Sequence, residues 1–154
     1  MQVYANRGAS GIDGNIATAA GISRALGVPV TAVIGDLAAL HDMNSLALLA
    51  DAQVVLVVLN NDGGGIFHML PIAEYPEHFE QLFGTPHGRS FDHAAKMFEI
   101  SYSAPKSRKT FENAFKKALG SKESALIEVK ASRADTAELT RSLRNRLEQL
   151  YRAD

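Results

Sequence analysis

The chain has 154 residues with 16 basic and 17 acidic side chains, a formal net charge of −1, and neither cysteine nor tryptophan. That length fits one domain, and its core must hold it together unaided, because without cysteine there is neither a disulfide nor a thiolate metal site. Balanced charge excludes the broad attraction that drives binding to nucleic acid or anionic membranes, so any anion must be caught by a local arrangement. The longest apolar stretch, residues 54–59, is far short of a membrane span, and no signal-like segment opens the chain; a soluble, cytoplasmic protein is the expectation.

Val3 and Tyr4 suggest a short strand entering the glycine-rich residues 6–14. Ile16, Ala19, Ala20, Ser23 and Leu26 then recur at helical spacing and predict a helix ending at Gly27, where Pro29 blocks continuation. Residues 30–34 and 53–59 are short, β-branched, nearly continuous apolar runs, the pattern of parallel strands covered on both faces. Between them, Leu46, Leu49 and Ala50 predict a helix over 42–50 and complete a βαβ unit. Residues 62–89, rich in Gly, Pro, His and Phe, read as a long excursion with one short helix near 77–83, and such excursions are usually functional or mobile.

Regular alternation then resumes. Residues 91–98 predict a helix, and Phe111, Ala114, Phe115, Ala118 and Leu119 form an apolar stripe stopped by Gly120. Residues 125–129 read as a strand. Leu139, Leu143, Leu147 and Leu150 make a stripe on a terminal helix from about Asp135, expected to pack on its own sheet. With no repeat, low-complexity tract or linker, residues 1–154 read as a single α/β domain: a three-layer sandwich whose mainly parallel sheet has helices on both faces.

Two strand ends carry unusual polar residues. The first runs into Gly35-Asp36, the second into Asn60-Asn61-Asp62-Gly63-Gly64-Gly65. Were these strands neighbours, the Asp36 carboxylate and the Asn61 amide oxygen would arrive together. With a backbone carbonyl and water they would make an all-oxygen site suited to magnesium and a ligand bringing phosphate oxygens. A helix N-terminus just after Asp36 would add donors for those phosphates. The competing reading has Asp36 capping the following helix and the Asn-Asp-Gly-Gly run making only a turn. No Walker loop, Gly-x-Gly-x-x-Gly fingerprint or His-Glu-x-x-His zinc motif is present, and the five histidines show no ligand spacing.

Gly-Asp at one strand end and Asn-Asn at the next resembles the cofactor motif of thiamine diphosphate enzymes. More narrowly, residues 6–14 (Asn-Arg-Gly-Ala-Ser-Gly-Ile-Asp-Gly), Gly35-Asp36-Leu37 with His41-Asp42-Met43-Asn44, residues 60–67 and Phe83-Gly84-Thr85-Pro86-His87 together resemble the MenD family. Its members are 2-succinyl-5-enolpyruvyl-6-hydroxy-3-cyclohexene-1-carboxylate synthases of menaquinone biosynthesis. The resemblance covers residues 2–97 most closely and corresponds to the C-terminal, diphosphate-binding domain of a longer chain. Its pyrimidine-binding and central domains have no counterpart here.

This resemblance implies a thiamine diphosphate-binding fold and thiamine diphosphate with magnesium or manganese as cofactors. Asp36, Asn61 and the Gly63 carbonyl would hold the metal, and Gly35, Leu37 and Ile66 would touch the cofactor. Ile12 would lie beneath it and enforce its V shape, Arg7 would bind a substrate carboxylate, and Ile66 and Phe67, with Leu70, would form an apolar wall at the reacting carbon. The complete enzyme would be a homo-oligomer that decarboxylates 2-oxoglutarate and adds the succinyl-semialdehyde carbanion to isochorismate. A glutamate of the partner pyrimidine-binding domain would activate the cofactor, so this chain alone is expected to be inactive. The alternatives are the diphosphate domain of an acetolactate synthase or 2-oxoacid decarboxylase, or a non-catalytic scaffold for magnesium and a diphosphate.

Overall fold

The computed structural model of the chain describes residues 2–6 and 11–151. In chain order the elements are helix α1 (Asn15–Leu26), strand β1 (Val30–Gly35), helix α2 (Asp36–His41), a 3₁₀ segment (Met43–Asp51) and strand β2 (Val54–Asn60). Two 3₁₀ turns follow (Gly65–Met69 and Pro71–Glu74), then helix α3 (Pro76–Phe79) with a π-helical turn (Glu80–Gly84). Helix α4 (Asp92–Met97), strand β3 (Ser101–Ser103), helix α5 (Arg108–Gly120), strand β4 (Ala125–Lys130) and helix α6 (Arg133–Tyr151) complete the chain. These form two compact units, Met1–Asn60 with Ser90–Lys130 and Asn61–Arg89 with Ala131–Asp154.

The first unit is built on a four-stranded sheet of order β1-β2-β4-β3 in which every pairing is parallel. Its central strands are long β-branched runs, as a doubly covered parallel sheet requires. Ile16, Ala20, Leu46, Leu49, Phe91 and Ala95 pack with Val54, Leu56, Val58 and Leu126 on one face. On the other, Ala118 with Phe111, Ala114 and Phe115 of α5 covers Val55, Val57 and Ile127. The expected three layers are therefore present. Since the β1–β2 connection lies on one face and the β3–β4 connection on the other, the winding changes sense between β2 and β4.

Local signals explain the boundaries. Gly27 closes α1 at φ 64°, a left-handed conformation that glycine adopts without a Cβ penalty. Ser107 and Thr110 form a reciprocal capping box at the start of α5. In the first unit four expectations differ from what is found. Val3 and Tyr4 are exposed and belong to no strand, since two residues without a neighbouring edge gain too little to order. β1 is an edge strand covered on one face only, with Val33 61% exposed, although its apolar run predicts two. The predicted helix at 42–50 is 3₁₀, which still buries Leu46 and Leu49 at three-residue spacing. The short strand β3 was not foreseen.

In the second unit α6 packs through its first turns, where Ala137 is buried and Arg141 Nη2 donates to the His68 carbonyl at 3.0 Å. The leucine stripe expected to pack on the sheet is instead exposed at Leu139, Leu143, Leu147 and Leu150. Periodicity identified the helix but carries no information about what meets its apolar side. Among the described residues no helix is long and apolar enough to cross a membrane.

Candidate functional site

In the first unit, Gly35 at the end of β1 pairs with Leu59 of β2, and one residue further come Asp36 and Asn60. Both are buried at the carboxyl edge of the sheet, where parallel sheets bind ligands. Asp36 Oδ1 accepts the Leu37 N–H at 2.8 Å as the first residue of α2, whose N-cap is Gly35, so Asp36 does not cap that helix; Leu37 itself is half-buried. Helix α2 has only six residues, which makes its dipole a small addition.

Asn60 reaches across the winding change: its Nδ2 donates to Oε1 of Glu128 on β4 at 2.7 Å. Glu128 is wholly buried, and its Oε2 accepts from the Phe91 N–H at 2.9 Å and the Tyr102 hydroxyl at 2.7 Å. Ser90 Oγ lies 3.2 Å from the same oxygen and 3.0 Å from Asp92 Oδ1, and its single proton serves one of them at a time. Burial pushes the Glu128 carboxyl up, but the donors from Phe91, Tyr102, Asn60 and Ser90 together outweigh it and hold it below the ordinary glutamate value. Tyr102 is raised, chiefly by burial, and remains a phenol that can donate. The only sequence signal for this cluster was one glutamate within the apolar run Ala-Leu-Ile-Glu-Val.

A second aspartate orders the start of α1. Gly14 precedes that helix with no side chain to cap it, and Asp42 Oδ2 accepts the Ile16 and Ala17 N–H groups at 2.6 and 3.2 Å. Two of the donors left over at any helix start are thus satisfied from far along the chain. Ile12, just before this turn, is half-exposed, and Arg7 lies outside the described residues. A cavity of about 590 Å³ lies between the start of α5 and the end of β4, beside Lys106, Phe111 and Val129; among the described residues no expected site residue lines it.

In the second unit the Asn61–Gly65 turn is pressed against residues 83–85. The Gly64 N–H donates to the Gly84 carbonyl at 2.7 Å, and Gly63 has φ 121°. A Cβ at Gly63 would come 2.1 Å from the Gly84 oxygen, and one at Gly64 would come 2.1 Å from the Phe83 oxygen, so both positions demand glycine. The Gly63 carbonyl accepts the Gly65 N–H at 2.8 Å. Asn61 Oδ1 is buried and has no donor among the described residues. Asp62 Oδ1 accepts the His87 and Gly88 N–H groups at 2.9 and 2.7 Å, closing the far end of the same segment. The Gly88 bond is the main reason its carboxyl lies below the ordinary value.

Ile66 is 77% exposed, and Leu70 is about half-exposed. Phe67 is half-buried, edge-on to Phe83 with ring centres 5.7 Å apart, so it belongs to an aromatic cluster continued by Phe79. Arg133 Nη2 pairs with Glu80 at 2.9 Å, a contact the sequence did not suggest. No three His, Cys, Asp or Glu side chains converge among the described residues. A site made of one carboxylate, one amide oxygen and one main-chain carbonyl requires no such group. Asp36 belongs to the first unit, Asn61 and Gly63 to the second.

The family model "Thiamine pyrophosphate enzyme, C-terminal TPP binding domain" matches residues 2–129. The chain belongs to this family. Within the thiamine pyrophosphate enzymes its similar curated relatives include the 2-succinyl-5-enolpyruvyl-6-hydroxy-3-cyclohexene-1-carboxylate synthase of Rubrobacter xylanophilus, 55% identical over 143 residues. The enzyme of the same name from Salinibacter ruber is 54% identical over 145. These alignments cover 93% and 94% of this chain but 25% and 24% of the relatives, so the chain spans about a quarter of their length.

Among solved structures, benzoylformate decarboxylase from Polynucleobacter necessarius aligns with a TM-score of 0.70 at 18% identity, over 81% of this chain and 24% of that one; this likeness establishes the fold. A thiamine diphosphate-dependent 4-hydroxybenzoylformate decarboxylase of Rhodococcus jostii RHA1 aligns with a TM-score of 0.68 at 26% identity, over 77% of this chain and 23% of that one.

Proposed function

We propose that this chain is the cofactor-diphosphate domain of a 2-succinyl-5-enolpyruvyl-6-hydroxy-3-cyclohexene-1-carboxylate synthase, acting in the cytoplasm with pyrimidine-binding and central domains that lie outside it. The 54–55% identity to synthases of that name favours this over an acetolactate synthase or 2-oxoacid decarboxylase. On this reading residues 1–154 serve as one domain of a homo-oligomer whose substrates are 2-oxoglutarate and isochorismate.

The observation that supports the metal assignment is the buried Asn61 Oδ1, which has no donor among the described residues. A buried acceptor left unsatisfied costs roughly 1–3 kcal/mol, a cost that a bound cation removes. The donor set fits: Asp36, Asn61 Oδ1 and the Gly63 carbonyl are all hard oxygens, as magnesium or manganese prefers beside a diphosphate. Gly35, Leu37 and Ile66 contact the cofactor, and Ile12 supports it from below. Arg7 forks onto a substrate carboxylate, orienting the substrate. Ile66 and Phe67 keep water from the reacting carbon. Thiamine diphosphate, once bound, supplies the electron-sink chemistry.

The reading is tested by calorimetry of thiamine diphosphate binding with and without magnesium, on the native chain and on Asp36→Ala. Binding that needs both the metal and Asp36 is expected; equal binding in all four titrations overturns the metal site. Given isochorismate, 2-oxoglutarate, magnesium and thiamine diphosphate, the chain by itself is expected to show little or no turnover, and adding a separately expressed pyrimidine-binding domain to restore it.

A further inference from the structure

The segment that carries Asn61 and Gly63 leaves the first unit after Asn60 and returns to it at Ser90. Those two points are joined through one side chain. Glu128 takes the Asn60 amide on Oε1 and the Phe91 N–H on Oε2, with Ser90 Oγ 3.2 Å away, and Tyr102 braces it from β3. Within the second unit Asp62 does the equivalent, binding the backbone of His87 and Gly88. Two carboxylates thus gather the two ends of one segment, and the Glu128 contact is made at the carboxyl edge of the sheet where the winding changes sense. A glutamate needed only for core packing would be poorly chosen, because burying an ionised carboxylate is costly unless its donors are fixed. Here three donors come from three different elements, so the carboxylate sets their relative placement.

We propose that Glu128 is a positioning residue for the diphosphate-binding turn: by holding Asn60 against Ser90 and Phe91 it fixes the pose from which Asn61 and Gly63 meet the metal and the cofactor diphosphate. This rests on the reading of Asn61 and Gly63 given above. Glu128 touches neither group and acts through Asn60, the residue bonded to Asn61.

Ser124 provides a matched control. It is buried at the opposite end of β4, where its Oγ accepts the Val54 N–H at 3.0 Å and lies 2.9 and 2.8 Å from the Leu49 and Ala52 carbonyls. Ser124→Ala therefore weakens the same sheet without disturbing its carboxyl edge.

The experiment compares the native chain, Glu128→Gln and Ser124→Ala by amide hydrogen exchange and by thiamine diphosphate titration at two magnesium concentrations. In Glu128→Gln, exchange is expected to rise about tenfold or more over residues 60–68 and 84–92, with α5 unchanged, while Ser124→Ala leaves those peptides at native rates. Affinity for thiamine diphosphate is expected to fall about tenfold in Glu128→Gln and to recover as magnesium is raised, while Ser124→Ala, which weakens the same sheet, keeps native affinity. Native exchange over those residues in Glu128→Gln, or cofactor affinity equal to that of Ser124→Ala, overturns the proposal.

If the native chain itself binds no thiamine diphosphate, the metal–diphosphate reading fails, and the exchange comparison alone upholds or overturns the tie between Asn60 and Ser90–Phe91. Should Glu128→Gln not fold, the double variant Ser90→Ala/Tyr102→Phe, which removes two donors and adds no bulk, is judged by the same criteria.

Discussion

Asn60 and Glu128 face each other diagonally across β2 and β4, where Glu128 is in register with Val58, and their side chains meet at 2.7 Å. The pair is buried, and further donors to the carboxylate come from Phe91 at the start of α4 and from β3. Glu128→Ala would leave the Asn60 amide, the Phe91 N–H and the Tyr102 hydroxyl without their acceptor. A loss of about 3–5 kcal/mol is expected, read as a shift in the urea midpoint at unchanged slope. Tyr102→Phe removes one charge-assisted bond and is expected to cost roughly 1.5–3 kcal/mol.

The same carboxylate makes stability depend on pH. Its folded value is depressed below its unfolded one, so the folded state gains from the ionised form. That gain is complete above the ordinary glutamate range and is lost as pH falls through the depressed folded value. Asp62, held down first by the Gly88 N–H, contributes in the same direction. Urea midpoints measured at successively lower pH are expected to fall over this acidic window for the native chain, and to fall less steeply for Glu128→Gln.

Asp42 caps α1 from outside the helix. Asp42→Ala is expected to cost about 1–2 kcal/mol, whereas Asp42→Asn, which keeps an acceptor oxygen, should cost less than half of that. Proteolysis near Gly14 should quicken in the alanine variant, because the first turn of the helix then frays. Equal stability of all three chains in urea would contradict this role.

Glycines separate into those the structure needs and those it merely contains. Gly63→Ala forces a Cβ to within 2.1 Å of a backbone oxygen at φ 121°, and roughly 2 kcal/mol or more should be lost. Gly21 lies within α1, where an added Cβ would meet nothing within 4 Å, so Gly21→Ala should stabilise by up to about 1 kcal/mol. Thermal melts of the two variants should move in opposite directions.

Asn61 predicts a conflict between stability and binding. Asn61→Ala removes a buried acceptor that has no donor among the described residues, so without magnesium the variant should be as stable as the native chain or slightly more so. The magnesium-dependent part of thiamine diphosphate binding should be lost. A clear loss of stability together with native binding would reverse the assignment.

Sequence by itself determined the α/β class, the helix over residues 15–26, the central strands and the stripe of α5, because burial on both sheet faces writes continuous apolar runs and helical spacing directly into the chain. It also marked Asp36 and Asn61, since strand ends with Gly-Asp and Asn-Asn are chemically unusual, and residues 6–14 and 60–67 carried the family resemblance. What it could not supply were partners distant along the chain. Asp42 as the cap of α1, and Glu128 as the acceptor for Asn60, Phe91 and Tyr102, are relations across 25 or more residues that leave no local period. Likewise the apolar run of β1 and the leucines of α6 declared their periodicity, but only the tertiary structure decided that Val33 and Leu139 stay exposed. Periodicity is a property of one element, whereas burial and hydrogen bonding require a second.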